Sequence, residues 1–275
     1  MFCILVLYSL MLLLPLLWGF FTSLKTMDAF MQDLIWPTLK PTFNNYVDAF
    51  TSIKYQVATE TTTYYVYFPE MLLNSVLYAV GTAFFNTLIT CLTAYLVAKF
   101  PNRFSKFVYG IVIVTMILPI VGALPAQIRM ARLIGLFDSI PGLWLINATF
   151  TNFYFLVFYA VFKSVAKDYS EAASIDGAGN FTIMLKLMFP LIRNTFLIVF
   201  LLLFIGRWND YATPMLMLPS YPTISNGIFH YAFSDTAMEM TKSAGGIIML
   251  LPVLVIYMLF YKKMMGNFSV GGIKG

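Results

Sequence analysis

Ten residues near the middle of the chain, SEAASIDGAG at 170–179, place two carboxylates, three alanines and two glycines between long apolar stretches. The chemistry on offer is recognition. Ala172 and Ala173 remove bulk from one side of a short helix, so a partner surface can approach closely. Glu171 sets a charge at the edge, able to pair with a partner's arginine or lysine. Gly177 supplies positive φ without strain and lets the chain reverse. An ordinary interfacial helix with a glycine stop would look the same at this level. A second polar group, RWND at 207–210, adjoins an apolar run. Polar side chains there face a cavity or a partner, or cap a helix. His230 stands alone in an outer segment, and no His, Cys and carboxylate cluster has metal-ligand spacing. No GxxxxGK[ST] phosphate cradle occurs. Nothing resembles a catalytic triad.

The elements that position these residues follow from charge. Of 275 residues, 60% are hydrophobic and only 11% charged, far below the roughly one quarter of a soluble domain. Charge-free runs cover 2–24, 71–98, 107–128, 139–162 and 243–261. A sixth span is expected over 190–210, with Arg193 snorkelling near the surface. The runs are continuous and do not alternate, so helices are expected and not a barrel. The first run lacks a basic flank and a small-residue cleavage site, so it reads as a span and not as a signal peptide; a longer native N-terminus would supply the flank. Cys3 and Cys91 both fall inside spans and are expected as small apolar packing residues.

Lysine and arginine orient the spans. Segments 99–106, 163–193 and the tail after 261 hold ten basic residues and three acids, whereas the other loops hold seven and nine. The first set is expected on the cytoplasmic side, with both termini. The net charge of +5 is then topology, not affinity for nucleic acid. SEAASIDGAG falls in the second cytoplasmic loop, 163–189. VFKSVAKDYSEAASI reads as helix, DGAG as a break and NFTIMLKLMF as helix again up to Pro190. A helix–turn–helix at the membrane surface results.

The spacing Glu171-Ala172-Ala173, three residues, Gly177, nine residues, Leu187, one residue, Phe189, Pro190 resembles the EAA loop of ABC importer permeases. Leu187 and Phe189 stand where the family has Ile and Leu, and AKDYSEAA lacks the usual proline and one acid. PTFNNYVDAF at 41–50 resembles the stretch before the second span of sugar-importer permeases. LLFIGRWNDYATPMLML at 202–218 and the ending GGIKG at 271–275 also resemble segments of that group. The resemblance runs along the whole chain and is nearest the second permease subunit of the maltose-transporter type, in the carbohydrate-uptake group.

The resemblance implies an all-α integral membrane protein, a single domain over 1–275 with six transmembrane helices and a cytoplasmic helix–turn–helix coupling loop, of the type I importer permease kind. It implies half of a translocation pathway in a prokaryotic inner membrane. The partners would be a second permease subunit, two ATPase subunits that bind the ATP, an external solute-binding protein and the lipid bilayer. No cofactor belongs to the chain itself. Glu171, Ala172, Ala173, Asp176 and Gly177 would couple to the ATPase. Asn209 and Asp210 would either face the solute path or cap the outer end of the fifth span. Tyr221, Phe229, Tyr231 and Phe233 would either stack on sugar faces or form an aromatic belt, and Arg129 and Arg132 sit on an expected interfacial helix. The solute is a sugar or oligosaccharide, with a polyol or glycerol phosphoester as the alternative. A secondary transporter would show buried ionisable groups or paired broken helices, and an intramembrane enzyme convergent catalytic groups; neither pattern is evident.

Overall fold

The computed structural model describes residues 2–58, 62–118, 122–235 and 237–266, the side chains of 262–266 excepted. The GGIKG ending therefore lies outside the described residues. The chain forms two compact units, Met1–Val76 with Asn209–Met258, and Leu77–Trp208 with Leu259–Gly275.

In the first unit, helix α1 (Phe2–Ser23) is followed by two short helices, α2 (Met27–Gln32) and α3 (Asn44–Ser52). A helix end leaves carbonyls without partners. Here the Asn45 side-chain amide donates to the Ser23 carbonyl at 2.8 Å and the Lys25 carbonyl at 2.7 Å. The Tyr46 hydroxyl meets Ser23 Oγ at 2.8 Å. The PTFNNY stretch is thus an anchor for the end of α1. Lys25 is buried, and its Nζ donates to the Asp33 carbonyl at 2.6 Å. Backbone N–H groups of Trp36 and Ile35, with a smaller contribution from Lys25, hold the Asp33 carboxyl below its usual range.

A β-hairpin then pairs β1 (Lys54–Ala58) with β2 (Thr63–Tyr67) in antiparallel register, Lys54 opposite Tyr67 and Ala58 opposite Thr63. The inward positions of this alternation are Val57 and Val66, both buried. Hydropathy reading of the segment 25–70 did not anticipate the hairpin. Helix α4 (Phe68–Lys99) begins here and continues into the second unit. Its first turns grip a later segment: Asn74 Nδ2 donates to the Pro222 carbonyl at 3.1 Å, and the Ile224 amide donates to Ser75 Oγ at 2.7 Å.

In the second unit, α5 (Arg103–Ile117) starts at an Asn102 side-chain cap, and α6 (Leu124–Leu133) carries Pro125 near its start. The apolar run 107–128 thus falls on two helices, with 119–121 outside the described residues. The run 139–162 is also divided, into α7 (Ile140–Ile146) and α8 (Phe153–Ser164). Charge counting cannot see that break, because it is made by uncharged Asn and Thr. Such side chains offer the backbone alternatives to helical bonding. Asn86 Nδ2 donates to the Asn147 carbonyl at 2.6 Å, and Thr90 Oγ1 to the Thr149 carbonyl at 2.9 Å. Asn152 Nδ2 reaches back to Thr90 Oγ1 at 2.9 Å. Irregular backbone away from water needs protein groups to satisfy it, and α4 supplies them here. The Trp144 ring lies against Gly81, where a Cβ would collide with it, and its Nε1 donates to the Leu77 carbonyl at 2.9 Å.

Helix α9 (Lys167–Ile175) leads to α10 (Asn180–Trp208), whose residues Ile183–Met188 are π-helical. The sequence predicts a stop at Pro190. The helix instead passes through it without a break. Pro190 has no N–H, and its ring crowds the carbonyl four residues back; the widened π turn just before it relieves that crowding. The core of this unit joins Cys91, Ala94 and Tyr95 of α4 to Phe155, Phe158 and Phe162 of α8 and to Ile192 and Val199 of α10. Cys91 is a packing residue as expected, whereas Cys3 is exposed on α1.

The first unit closes with α11 (Ala212–Met217), α12 (Ile224–Ala232) and α13 (Glu239–Gly266), the last continuing past Met258. Among the described residues, Phe2–Ser23, Phe68–Lys99, Asn180–Trp208 and Glu239–Tyr261 are long and apolar enough to cross a membrane.

Candidate functional site

Helix α9 carries Glu171, Ala172 and Ala173, and its construction is local. Asp168 sits in its first turn, where a carboxylate complements the helix dipole. Ser170 and Ser174 return their hydroxyls to the Lys167 and Ser170 carbonyls at 2.7 and 2.8 Å. At the end, Asp176 is the last partly helical residue and Gly177 takes φ +81°. The Gly177 amide donates to the Ser174 carbonyl and the Ala178 amide to the Ala173 carbonyl, both at 3.0 Å. This pair of bonds is a Schellman ending, with the left-handed residue where the sequence predicts one. A Cβ on Gly177 would meet nothing within 4 Å, so glycine is there for its backbone freedom alone.

The two alanines do not share a role. Ala173 turns inward with Ala178 and packs on the core of its own unit. Ala172 is exposed, as are Glu171, Asp176 and Gly177. Around them Tyr169 is 60% and Ile175 86% exposed. Glu171 forms no hydrogen bond or ion pair among the described residues. The exposed surface of α9 therefore presents two carboxylates, Glu171 and Asp176, one small side chain and two apolar ones. Ala173, expected beside Ala172 on that surface, is half-buried at the Schellman ending. Lys99, counted in the sequence only as topology, is a positioning residue as well. Its Nζ donates to the Val165 carbonyl at 2.8 Å, tying the end of α4 to the turn from which α9 starts.

Asn209 and Asp210 are near neighbours in the chain with different surroundings. The Asp210 carboxylate accepts from the Thr213 amide at 3.0 Å, at the start of α11. Its carbonyl accepts from Ser225 Oγ at 3.0 Å. Asn209 lines a cavity of about 310 Å³ with Pro15, Gly19, Ser243 and Gly246. The aromatics of 211–233 are mutually engaged: Tyr211 stacks on Phe229 at 4.3 Å, and Phe229 meets Phe233 at 5.0 Å. Tyr231 is buried, and Tyr221 is half-exposed. His230 packs edge-on against Tyr55 at 5.0 Å. Arg129 and Arg132 lie on α6, and Arg132 sits over the Phe137 ring at 4.4 Å.

Long apolar helices, a discontinuous apolar segment satisfied by asparagines and threonines, and a short capped helix joined to a long one define a mainly helical protein with several helices fit to cross a membrane. Residues 87–264 match the family described as "Binding-protein-dependent transport system inner membrane component", and the chain belongs to that family. It is 25% identical to the diacetylchitobiose uptake system permease protein NgcG of Streptomyces coelicolor, over 98% of this chain and 86% of the other. It is 26% identical to the trehalose transport system permease protein SugB of Mycobacterium tuberculosis, over 96% and 93%. The fold matches a chain in the crystal structure of a bacterial ABC transporter involved in the import of the acidic polysaccharide alginate. That match has a TM-score of 0.76 and 22% identity, and covers 94% of this chain and 93% of that one.

Proposed function

We propose that this chain is one of two permease subunits of an ATP-driven importer for a sugar or oligosaccharide. It forms half of the translocation path. The observation that carries the coupling role is the exposed surface of α9, where Glu171, Ala172 and Ile175 lie and Glu171 has no partner among the described residues. Glu171, Ala172, Asp176 and Gly177 form the docking end, and Ala173 holds it to the body of the subunit. Because α10 is one helix from Asn180 to Trp208, a push on α9 acts on a membrane-spanning element through the π-helical turn.

ATP binds to separate ATPase subunits, since the sequence has no phosphate loop of its own. A second permease and an external solute-binding protein complete the assembly. The runs 107–128 and 139–162 supply the third and fourth of six spans, with 99–106, 163–189 and both termini in the cytoplasm. The relatives named for diacetylchitobiose and trehalose transport support a carbohydrate as the solute.

The test is co-purification of the tagged chain with its partner subunits, followed by reconstitution and uptake of labelled di- and oligosaccharides. ATP-dependent uptake that needs the binding protein is expected. ATP turnover by the isolated chain, or external labelling of a cysteine placed at Arg103 in intact cells, would contradict the reading.

A further inference from the structure

The end of α4, helix α9 and the start of α10 flank an open groove of about 500 Å³. Tyr95, Lys99, Lys167, Glu171, Ser174 and Asn180 line it. Tyr95 is only 4% exposed as a residue and forms part of the wall. Lys99 makes one hydrogen bond, to the Val165 carbonyl, and an ammonium carries three donors. The like charges of Lys167 and Lys163 both bear on it. No carboxylate forms an ion pair with any of these three lysines among the described residues. Crowded cations favour an anion among them.

A cavity of about 170 Å³ shares Tyr95 as a wall. Its other walls are apolar, among them Leu88, Leu92, Met184 and Met188. The last two belong to the π-helical turn. A cationic groove and an apolar slot thus meet at one tyrosine.

We propose that the groove and the slot form a single binding site for an anionic phospholipid. Lys99 and Lys167 hold the phosphate, Tyr95 donates its hydroxyl to it, and an acyl chain fills the slot. Basic pockets between membrane helices bind phosphate headgroups in this way. The adjoining slot selects a lipid over a free anion. Glu171 lines the groove as an acceptor, which suits headgroup hydroxyl or ammonium donors beyond the phosphate. The lipid lies against helix α9 and the π turn together, so its occupancy stiffens the joint between them. The inference stands on the groove, the slot and the charges and does not depend on ATPase docking.

The experiment is native mass spectrometry of the purified full chain, titrated with phosphatidylglycerol, phosphatidylcholine or inorganic phosphate. Preferential retention of phosphatidylglycerol is expected, with a loss of about fivefold for each lysine removed. Lys99→Gln with Lys167→Gln should abolish the preference. Arg103→Gln with Lys106→Gln, equally basic and outside the groove, should leave it intact. Leu92→Trp, which fills the slot, should weaken phosphatidylglycerol binding without removing any charge. Thermal unfolding in phosphatidylcholine checks that each variant is folded. Three results would overturn the proposal: equal retention of the two lipids, an equal loss in the Arg103 and Lys106 control, or a phosphate adduct that Leu92→Trp and added lipid leave unchanged.

Discussion

The Ala178 amide donates to the Ala173 carbonyl at 3.0 Å, and between them Gly177 holds φ +81°. Helix α9 is therefore closed by one left-handed residue, and both alanines of that bond pack on the core. A non-glycine residue in this conformation costs roughly 1–2 kcal/mol, and a β-branched one more. Nothing surrounds a Cβ at this site, so the penalty is conformational only. Gly177→Val should reopen the turn and misaim α9, and Gly177→Asn should be nearly neutral. Recruitment of the ATPase and solute uptake should fall for valine and persist for asparagine. Equal, normal values for both would make the loop a mere connector.

Asn45 bridges the Ser23 and Lys25 carbonyls. Asn45→Ala leaves both acceptors short of a donor in a buried place, at a cost of about 2 kcal/mol. Asn45→Asp should be worse, because a carboxylate cannot donate and would face two carbonyl oxygens. Thermal unfolding in detergent should rank wild type above alanine and alanine above aspartate. Aspartate as stable as wild type would rule out the donor role.

The parts of this architecture that the sequence disclosed are those with local causes. Gly177 announces a positive φ by its position after a helical stretch, and α1, α4 and α13 announce themselves by long charge-free runs. The parts it hid have distant partners. Asn45 is an ordinary polar residue until the end of α1 lies beside it. The break at 147–152 is bridged by Asn86 and Thr90, some sixty positions away. One signal was present: NATFTN crowds two asparagines and two threonines into an apolar run. Pro190 misled for the opposite reason, since the π-helical turn just before it lets the helix run through. The inward turn of Ala173 follows from the Schellman geometry and could have been derived once Gly177 was assigned.

Gly81 and Trp144 form a size-matched pair. A Cβ at Gly81 would overlap the indole, which is fixed by its bond to the Leu77 carbonyl and by stacking on Phe85. Gly81→Ala should destabilise the fold by about 1–3 kcal/mol through overpacking. Combining it with Trp144→Ala should recover part of that loss, giving a coupling energy of about 1 kcal/mol or more. The four unfolding midpoints of the cycle measure it. Additive losses would show that the indole can move aside freely.

Asp210 separates two roles that its sequence left open. Its carboxylate accepts from the Thr213 amide at 3.0 Å, and its carbonyl from Ser225 Oγ. These bonds hold Asp210 to the starts of α11 and α12, and of the two only the first uses the side chain. An asparagine offers the same acceptor oxygen without the charge, and side-chain caps of this kind stabilise by roughly 0.5–2 kcal/mol. As a cap, Asp210→Asn should keep both stability and uptake, whereas Asp210→Ala should lower the unfolding midpoint. As a solute-path residue, Asp210→Asn should change the half-saturation concentration for uptake while stability stays constant. Asn209 provides the contrast, because it lines a cavity with Gly19 and Gly246. Asn209→Leu should fill part of that space and alter uptake more than Asp210→Asn does. Uptake measured over a range of solute concentrations, beside thermal unfolding of the same preparations, distinguishes the two. A larger uptake change for Asp210→Asn than for Asn209→Leu, at equal stability, would move Asp210 from the cap to the path.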